Sequence, residues 1–228
     1  MTTLSKDIKV GTKKSHSAAE NTKFVAAFLR GVISRENYRT LIKDFYFVYA
    51  ALEEEMERLK GDTYIDGINF PELSRIEQLK MDVRYYYGPN WRAIIAPSES
   101  AVQYVERIHE VADKAPFLLV GHHYTRYLGD LSGGQILKGI AEKALNLREG
   151  EGLKFYEFDK IDDKKEYKNK YRAALDSLPL DQVQIDAIIA EANYAFKLNM
   201  DMFDELAGDS KDGWKSFFKV LLGYIRRG

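Results

Sequence analysis

The chain has no cysteine. Disulfides, thiolate metal ligands and cysteine nucleophiles are therefore excluded, and the absence fits a reducing cytoplasm. Proline is scarce, five in 228 residues, and none interrupts the stretch from Phe117 to Leu145. Long helices can run there unbroken. An excess of one charge is missing too: the net charge is −1, which offers no global attraction to nucleic acid or to an anionic membrane. No apolar run reaches the roughly 18 residues of a membrane span. The start, Met1 to Lys14, is polar and basic and lacks the apolar core of a signal peptide. Repeats, low-complexity tracts and internal domain boundaries are absent as well.

What the chain does have is hydrophobic bulk, 45% of its residues, with many Glu, Lys, Ala and Leu and few alternating Val/Ile/Thr runs. These proportions predict an all-α fold, organised as a single domain over residues 1–228. The apolar end, Trp214 to Ile225, carries lysines at intervals on a helical period and reads as a core-packing helix.

One stretch organises the rest: Tyr-Thr-Arg-Tyr-Leu-Gly-Asp-Leu-Ser-Gly-Gly-Gln at positions 124–135. It lies inside a predicted helix, yet it contains Gly129, Gly133 and Gly134. Each glycine costs a helix interior about 1 kcal/mol relative to alanine, and ~3 kcal/mol in all is a large share of a domain's net stability. Glycine's assets are a missing side chain and access to unusual backbone angles. One reading is a helix that bends and admits a flat, bulky group to its backbone, with Asp130 the acid beside the opening. The other is a loop between two shorter helices, with Asp130 merely paired to Arg126 at i,i+4.

Along the chain, residues 4–20 form the first predicted helix, with Lys9, Lys13, His16 and Glu20 on one face. A neutral imidazole is a good iron ligand, and Glu20 one turn on could hold its other ring nitrogen. The same stripe also reads as a solvated face, or dissolves if Ser17-Ala18-Ala19-Glu20 is a capping box that starts a helix at Ser17. Ser34 caps a long helix ending at Gly61, and helices follow over 72–86 and, capped by Ser98, over 98–114. Glu106 and His109 make one E-x-x-H pair, where a di-iron bundle needs two such pairs and further acids. Adjacent His122 and His123 point in different directions and are no paired metal site. Residues 146–160 read as a polar loop, 164–172 as a basic helical segment, and a long helix follows Pro179.

The 124–135 stretch resembles the distal-helix signature of the heme oxygenase family. Lys13-Lys14-Ser15-His16-Ser17-Ala18-Ala19-Glu20-Asn21-Thr22-Lys23-Phe24 resembles that family's proximal segment. Tyr49-x-x-Leu52-Glu53-Glu54-Glu55, the basic pair Lys168 and Arg172, and the run from Glu191 to Leu206 match it as well, in the right order. The resemblance implies a multi-helical bundle that sandwiches heme b between a proximal helix and a kinked, glycine-rich distal one. It makes His16 the axial ligand, with Glu20 in its hydrogen-bonding surroundings. Lys9, Lys13, Tyr124, Lys168 and Arg172 become propionate anchors, and Arg126 joins the heme-binding group. Phe196 and Phe203 line or back the pocket, and Tyr49 stands behind it. Gly129, Gly133 and Gly134 let the backbone lie close over bound dioxygen, while ionised Asp130 holds a water network that feeds protons.

Heme would then be both substrate and cofactor, opened to biliverdin, normally at the α-meso carbon, with release of carbon monoxide and ferrous iron. No flavin or nucleotide motif is present, so electrons must come from outside. The basic residues Lys13, Lys14, Lys23, Lys165, Lys168 and Lys170 could steer an acidic donor such as ferredoxin. Lacking the C-terminal anchor of many eukaryotic members, the chain resembles the soluble bacterial, cyanobacterial or plastid type. That type implies a monomer in cytoplasm or plastid stroma, with no membrane or nucleic-acid partner. A heme carrier or sensor without turnover is the alternative, and it would have no use for Asp130 and its glycines.

Overall fold

The computed structural model describes residues 3–148 and 150–208. Helix α1 (Leu4–Gly11) leads into α2 (Lys13–Glu20) and α3 (Lys23–Leu29), and the long α4 (Arg35–Arg58) follows. Next come the one-turn α5 (Thr63–Asp66), α6 (Ile76–Tyr87), the one-turn α7 (Trp91–Ile94) and α8 (Glu99–Lys114). The second half holds α9 (Leu119–His123), α10 (Gly129–Ala144), α11 (Lys164–Asp176) and α12 (Gln182–Gly208). No strand occurs among the described residues, so the all-α expectation holds. The Ser34 hydroxyl accepts from the Asn37 amide at 3.0 Å and that of Ser98 from the Ala101 amide at 3.2 Å, so both predicted N-caps are made.

Two long helices carry the core. α4 packs between α6 and α8, and α12 crosses α1, α2, α3, α8 and α9. Tyr38, Ile42, Tyr49 and Leu52 on α4 are fully buried, and each such aliphatic side chain contributes roughly 1.5–3 kcal/mol by leaving water. The α9–α12 crossing depends on Gly121: a Cβ there would meet the Ala192 nitrogen at 2.9 Å and the Ile188 carbonyl oxygen at 3.0 Å. Backbone meets backbone at that point, which only glycine permits.

The structure departs from the sequence reading in three places. The helix expected over 4–20 breaks at Thr12, whose buried hydroxyl donates to the Ile8 carbonyl at 2.7 Å. α2 begins at Lys13 rather than Ser17, so His16 is helical but Lys9 sits on a separate helix. The stretch expected as a polar loop over 146–160 is only partly so: Leu153, Phe155, Tyr156 and Phe158 within it are buried. Finally, the chain from Leu119 to Ala144 is continuously helical, but a π-helical segment at Tyr124–Leu128 separates α9 from α10. The irregularity sits ahead of the glycines, and none of Gly129, Gly133 and Gly134 has a positive φ. Their asset is the missing side chain, not an unusual backbone angle. Among the described residues no helix is long and apolar enough to cross a membrane. The predicted helix Trp214–Ile225 lies outside the described residues.

Candidate active site

The glycines of α10 divide between two faces. Gly129 and Gly133, one turn apart, are exposed, and a Cβ on either would find nothing within 4 Å. Gly134 points inward, where its Cβ would stand 3.2 Å from Cδ1 of Tyr156. The open floor is thus made by two of the three glycines. Ile136, one turn beyond Gly133, is 65% exposed. A large apolar side chain bared beside a bare backbone suits an apolar ligand better than water. Sequence reasoning missed Ile136, although its i+7 spacing from Gly129 put it on the same face.

Asp130 lies just inside this floor, 9% exposed. Its carboxylate accepts from the Tyr49 hydroxyl, and Arg126 NH2 stands 3.7 Å from Oδ1. Arg126 Nε donates to the Tyr49 oxygen at 3.0 Å. Because a guanidinium only donates, the single phenolic proton of Tyr49 is committed to Asp130. Arg126 NH1 also donates to Asn199, whose amide in turn donates to the Tyr104 hydroxyl at 3.3 Å. Burial raises the pKa of Asp130, against the pull of Arg126, the Tyr49 hydrogen bond and Arg75. The acid is therefore held in place and made less acidic than a solvated carboxyl. Arg126, grouped with the heme-binding residues on sequence grounds, turns into this network and lies over the Phe45 ring at 4.3 Å. It is 7% exposed, and its guanidinium is spent on Tyr49, Asp130 and Asn199.

The predicted proximal side is different in character. His16 on α2 has 59% of its side chain exposed, and Glu20 Oε2 stands 3.7 Å from its Nδ1. The edge of Phe196 meets the imidazole at 5.8 Å between centroids, and Phe203 stacks on Phe24 at 5.7 Å. An exposed imidazole with one nitrogen near a carboxylate is poised for metal coordination. α3 packs against both α2 and α10, so the helices bearing His16 and the open floor flank a common neighbour. Tyr124 is half-buried and sits beside Thr12 and Arg172, which brings two predicted anchors together. Lys168 lies one turn from Arg172, and burial together with Lys138 and Lys168 lowers the pKa of Lys164. Lys9 and Lys13 are exposed.

The remaining histidines have structural partners. His122 Nε2 meets Glu191 at 2.8 Å, and Arg107 grips the same carboxylate with two donors at 3.0 and 2.6 Å. Burial pushes the Glu191 pKa up, but those hydrogen bonds outweigh it and hold it at about 2. His123 Nδ1 meets the Tyr171 hydroxyl at 2.7 Å, and burial lowers its pKa to about 3. His109 pairs with Glu55 at 2.5 Å rather than with Glu106. Among the described residues no cluster of three or more His, Cys, Asp or Glu could hold a metal. A metal arriving with its own ring ligands needs only one protein donor, and His16 is the most exposed histidine, 59% of its side chain against 42% for His109.

Comparison with known proteins identifies the family. The family model described as heme oxygenase matches residues 2–205. A heme oxygenase of Guillardia theta is 53% identical, covering 97% of this chain and 92% of its own. Heme oxygenase 1 of Synechocystis is 52% identical over 90% of this chain and 85% of its own. A crystal structure of the Synechocystis heme oxygenase-1 with heme superposes with a TM-score of 0.92 at 49% identity, covering 98% of this chain and 100% of that one. The heme oxygenase of Leptospira interrogans gives 0.87 at 42% identity, over 90% of this chain and 100% of that one. The chain belongs to the heme oxygenase family.

Proposed function

We propose that the protein opens heme to biliverdin, with release of carbon monoxide and ferrous iron, using dioxygen and external electrons. The observation that carries this is the pairing of a bare floor, Gly129 and Gly133, with an acid fixed directly behind it by Tyr49 and Arg126. A carrier needs the floor but has no use for a buried, hydrogen-bonded acid at considerable desolvation cost. When bound, heme supplies the reactivity toward dioxygen, and the protein supplies position and hydrogen bonds. The residues fit such a group: an exposed imidazole, two glycines over open space, and Tyr124 beside Arg172.

In this reading His16 would hold the heme iron, and Glu20 would steady its ring through Nδ1. Phe196 braces the imidazole edge, while Ile136 covers the apolar side of the ring. Lys13, Tyr124, Lys168 and Arg172 hold the propionates, with Lys9 further out, and so select the edge that turns inward. We assign α-meso opening on that basis. Asp130, held as an acceptor, orders water over the floor and passes protons inward; Tyr49 and Arg126 keep its oxygens aimed. Electrons come from an external donor of ferredoxin type, drawn to the basic surface around Lys13, Lys14, Lys23, Lys165, Lys168 and Lys170. We further read the protein as a monomer working in cytoplasm or plastid stroma.

The test is an aerobic optical time course with equimolar hemin and then ascorbate or reduced ferredoxin. The heme band should decay while a biliverdin band grows. Asp130→Ala should still bind hemin yet lose most ring opening. Unchanged biliverdin yield in that variant would remove Asp130 from the mechanism, and a heme spectrum that persists in the parent would favour the carrier.

A further inference from the structure

The largely buried segment 153–158 between α10 and α11 touches both halves of the distal site. On one side the ring of Tyr156 occupies the space beneath Gly134, and its carbonyl accepts from Gln135 Nε2 at 2.7 Å. Lys138 adds an ion pair to Glu157 at 2.9 Å. On the other side, neighbouring Phe155 packs against Tyr49 at 5.5 Å and Phe45 at 5.3 Å between centroids. Tyr49 is the residue that holds Asp130.

The segment is itself anchored from below. Asp82 on α6 accepts from the amides of Lys154 and Phe155 at 2.9 and 2.8 Å. Arg75, 2% exposed, donates to the carbonyls of Phe155 and Glu157 and lies 3.8 Å from the Phe158 ring centre. A six-residue piece of chain would hardly be fastened this firmly for the sake of connection alone. Buried backbone groups need partners, but here the partners are charged side chains on and just ahead of α6, and the far face of the segment meets the glycine helix.

We propose that Tyr156 is a positioning residue that sets how far the Gly129–Gly133 floor stands from the substrate, with Asp82 and Arg75 as its fixed base. Gly134 is then glycine so that α10 can settle onto the Tyr156 ring, not so that the ligand can approach. The ring transmits the position of α6 to the floor, and Phe155 keeps Asp130 in register with it through Tyr49. The inference rests on the heme oxygenase reading only for what the floor is positioned against.

Four variants test it: Tyr156→Phe, Tyr156→Ala, Gly134→Ala, and the last two combined. Amide hydrogen exchange of the heme-free protein is measured across 129–138, together with the pH midpoint of the optical transition of the ferric hemin complex. Tyr156→Ala should speed exchange in α10 while α4 and α12 keep the parent's rates, and Tyr156→Phe should match the parent. Tyr156→Ala and Gly134→Ala should each move the midpoint. Their combination should lie nearer the parent than Gly134→Ala alone, by about threefold or more in proton affinity, as contacting side chains couple. Purely additive shifts, or parental exchange in α10 of Tyr156→Ala, would overturn the proposal. Should Tyr156→Ala fail to fold, Tyr156→Leu takes its place under the same criteria. If hemin binds to none of the proteins, the functional reading fails, whereas the exchange result still decides whether Tyr156 positions α10.

Discussion

At the scale of single residues, burial decides which ionisable groups matter. Asp82 is fully buried, and that burial raises its pKa to about 7, opposed by the Phe155 and Lys154 amides and the Lys154 charge and reinforced by Glu157. Tyr38, Tyr86 and Tyr156 also face it. A carboxyl whose folded pKa is raised favours folding at low pH. Its contribution is complete below the ordinary value near 3.8 and is lost as pH rises through about 7. His123 behaves oppositely, since burial lowers its pKa to about 3. Its contribution is present above about 6.5 and is lost as pH falls toward 3. Raising the pH from about 4 to about 7 should therefore cost the parent stability relative to Asp82→Asn. Thermal unfolding of both proteins across that range checks it, and parallel curves would mean that Asp82 does not titrate there.

At the scale of elements, identical residues do different work depending on what faces them. Gly121 meets the α12 backbone, Gly134 a ring, and Gly133 open space. Gly133→Ala should stabilise the heme-free protein by about 0.5–1 kcal/mol through helix propensity. It should also weaken hemin binding by intruding on the floor. Gly121→Ala carries the same propensity gain but forces two helix backbones apart, so a net loss of about 1–3 kcal/mol is expected. Chemical denaturation without heme separates the two. If both alanines stabilise, the α9–α12 crossing is looser than it looks. The π-helical turn at Tyr124–Leu128 explains why the distal helix is irregular ahead of its glycines.

At the scale of the molecule, charge is unevenly placed although its sum is −1. Acids crowd the α4–α8 face, where Glu54 and Glu106 rim an apolar groove that includes Phe47, Val102 and Val105. Lysines gather on α2 and α11. On the proposed reading, this lysine-bearing side is where an acidic donor docks. Reversing charge at Lys14 and Lys165 should lower ferredoxin-driven turnover several-fold at low salt, with the deficit shrinking as salt screens it. Ascorbate-driven turnover should be unaffected, and equal loss with both reductants would point to damage at the site instead.

How much was legible in the chain follows from what kind of physics each feature depends on. Helix caps at Ser34 and Ser98, the all-α class, and the glycine anomaly around Asp130 depend on local propensity, and all were readable in order along the sequence. The family resemblance rested on the same motifs. Thr12 escaped because its hydroxyl bond to Ile8 ends a helix that propensity would continue. The buried part of 146–160 escaped because its charged residues mask alternating apolar ones, and only packing shows that Leu153, Phe155 and Tyr156 turn inward. Arg126 and Gly134 were singled out in the right stretch, but only tertiary contacts show that both turn inward. By itself the sequence determined the helical class and the motifs that resemble the heme oxygenase family, since residue type and helical spacing are local properties. Tertiary structure alone decided which of them face the opening and which hold the others still, because that depends on contacts such as Tyr49 with Asp130, 81 positions apart.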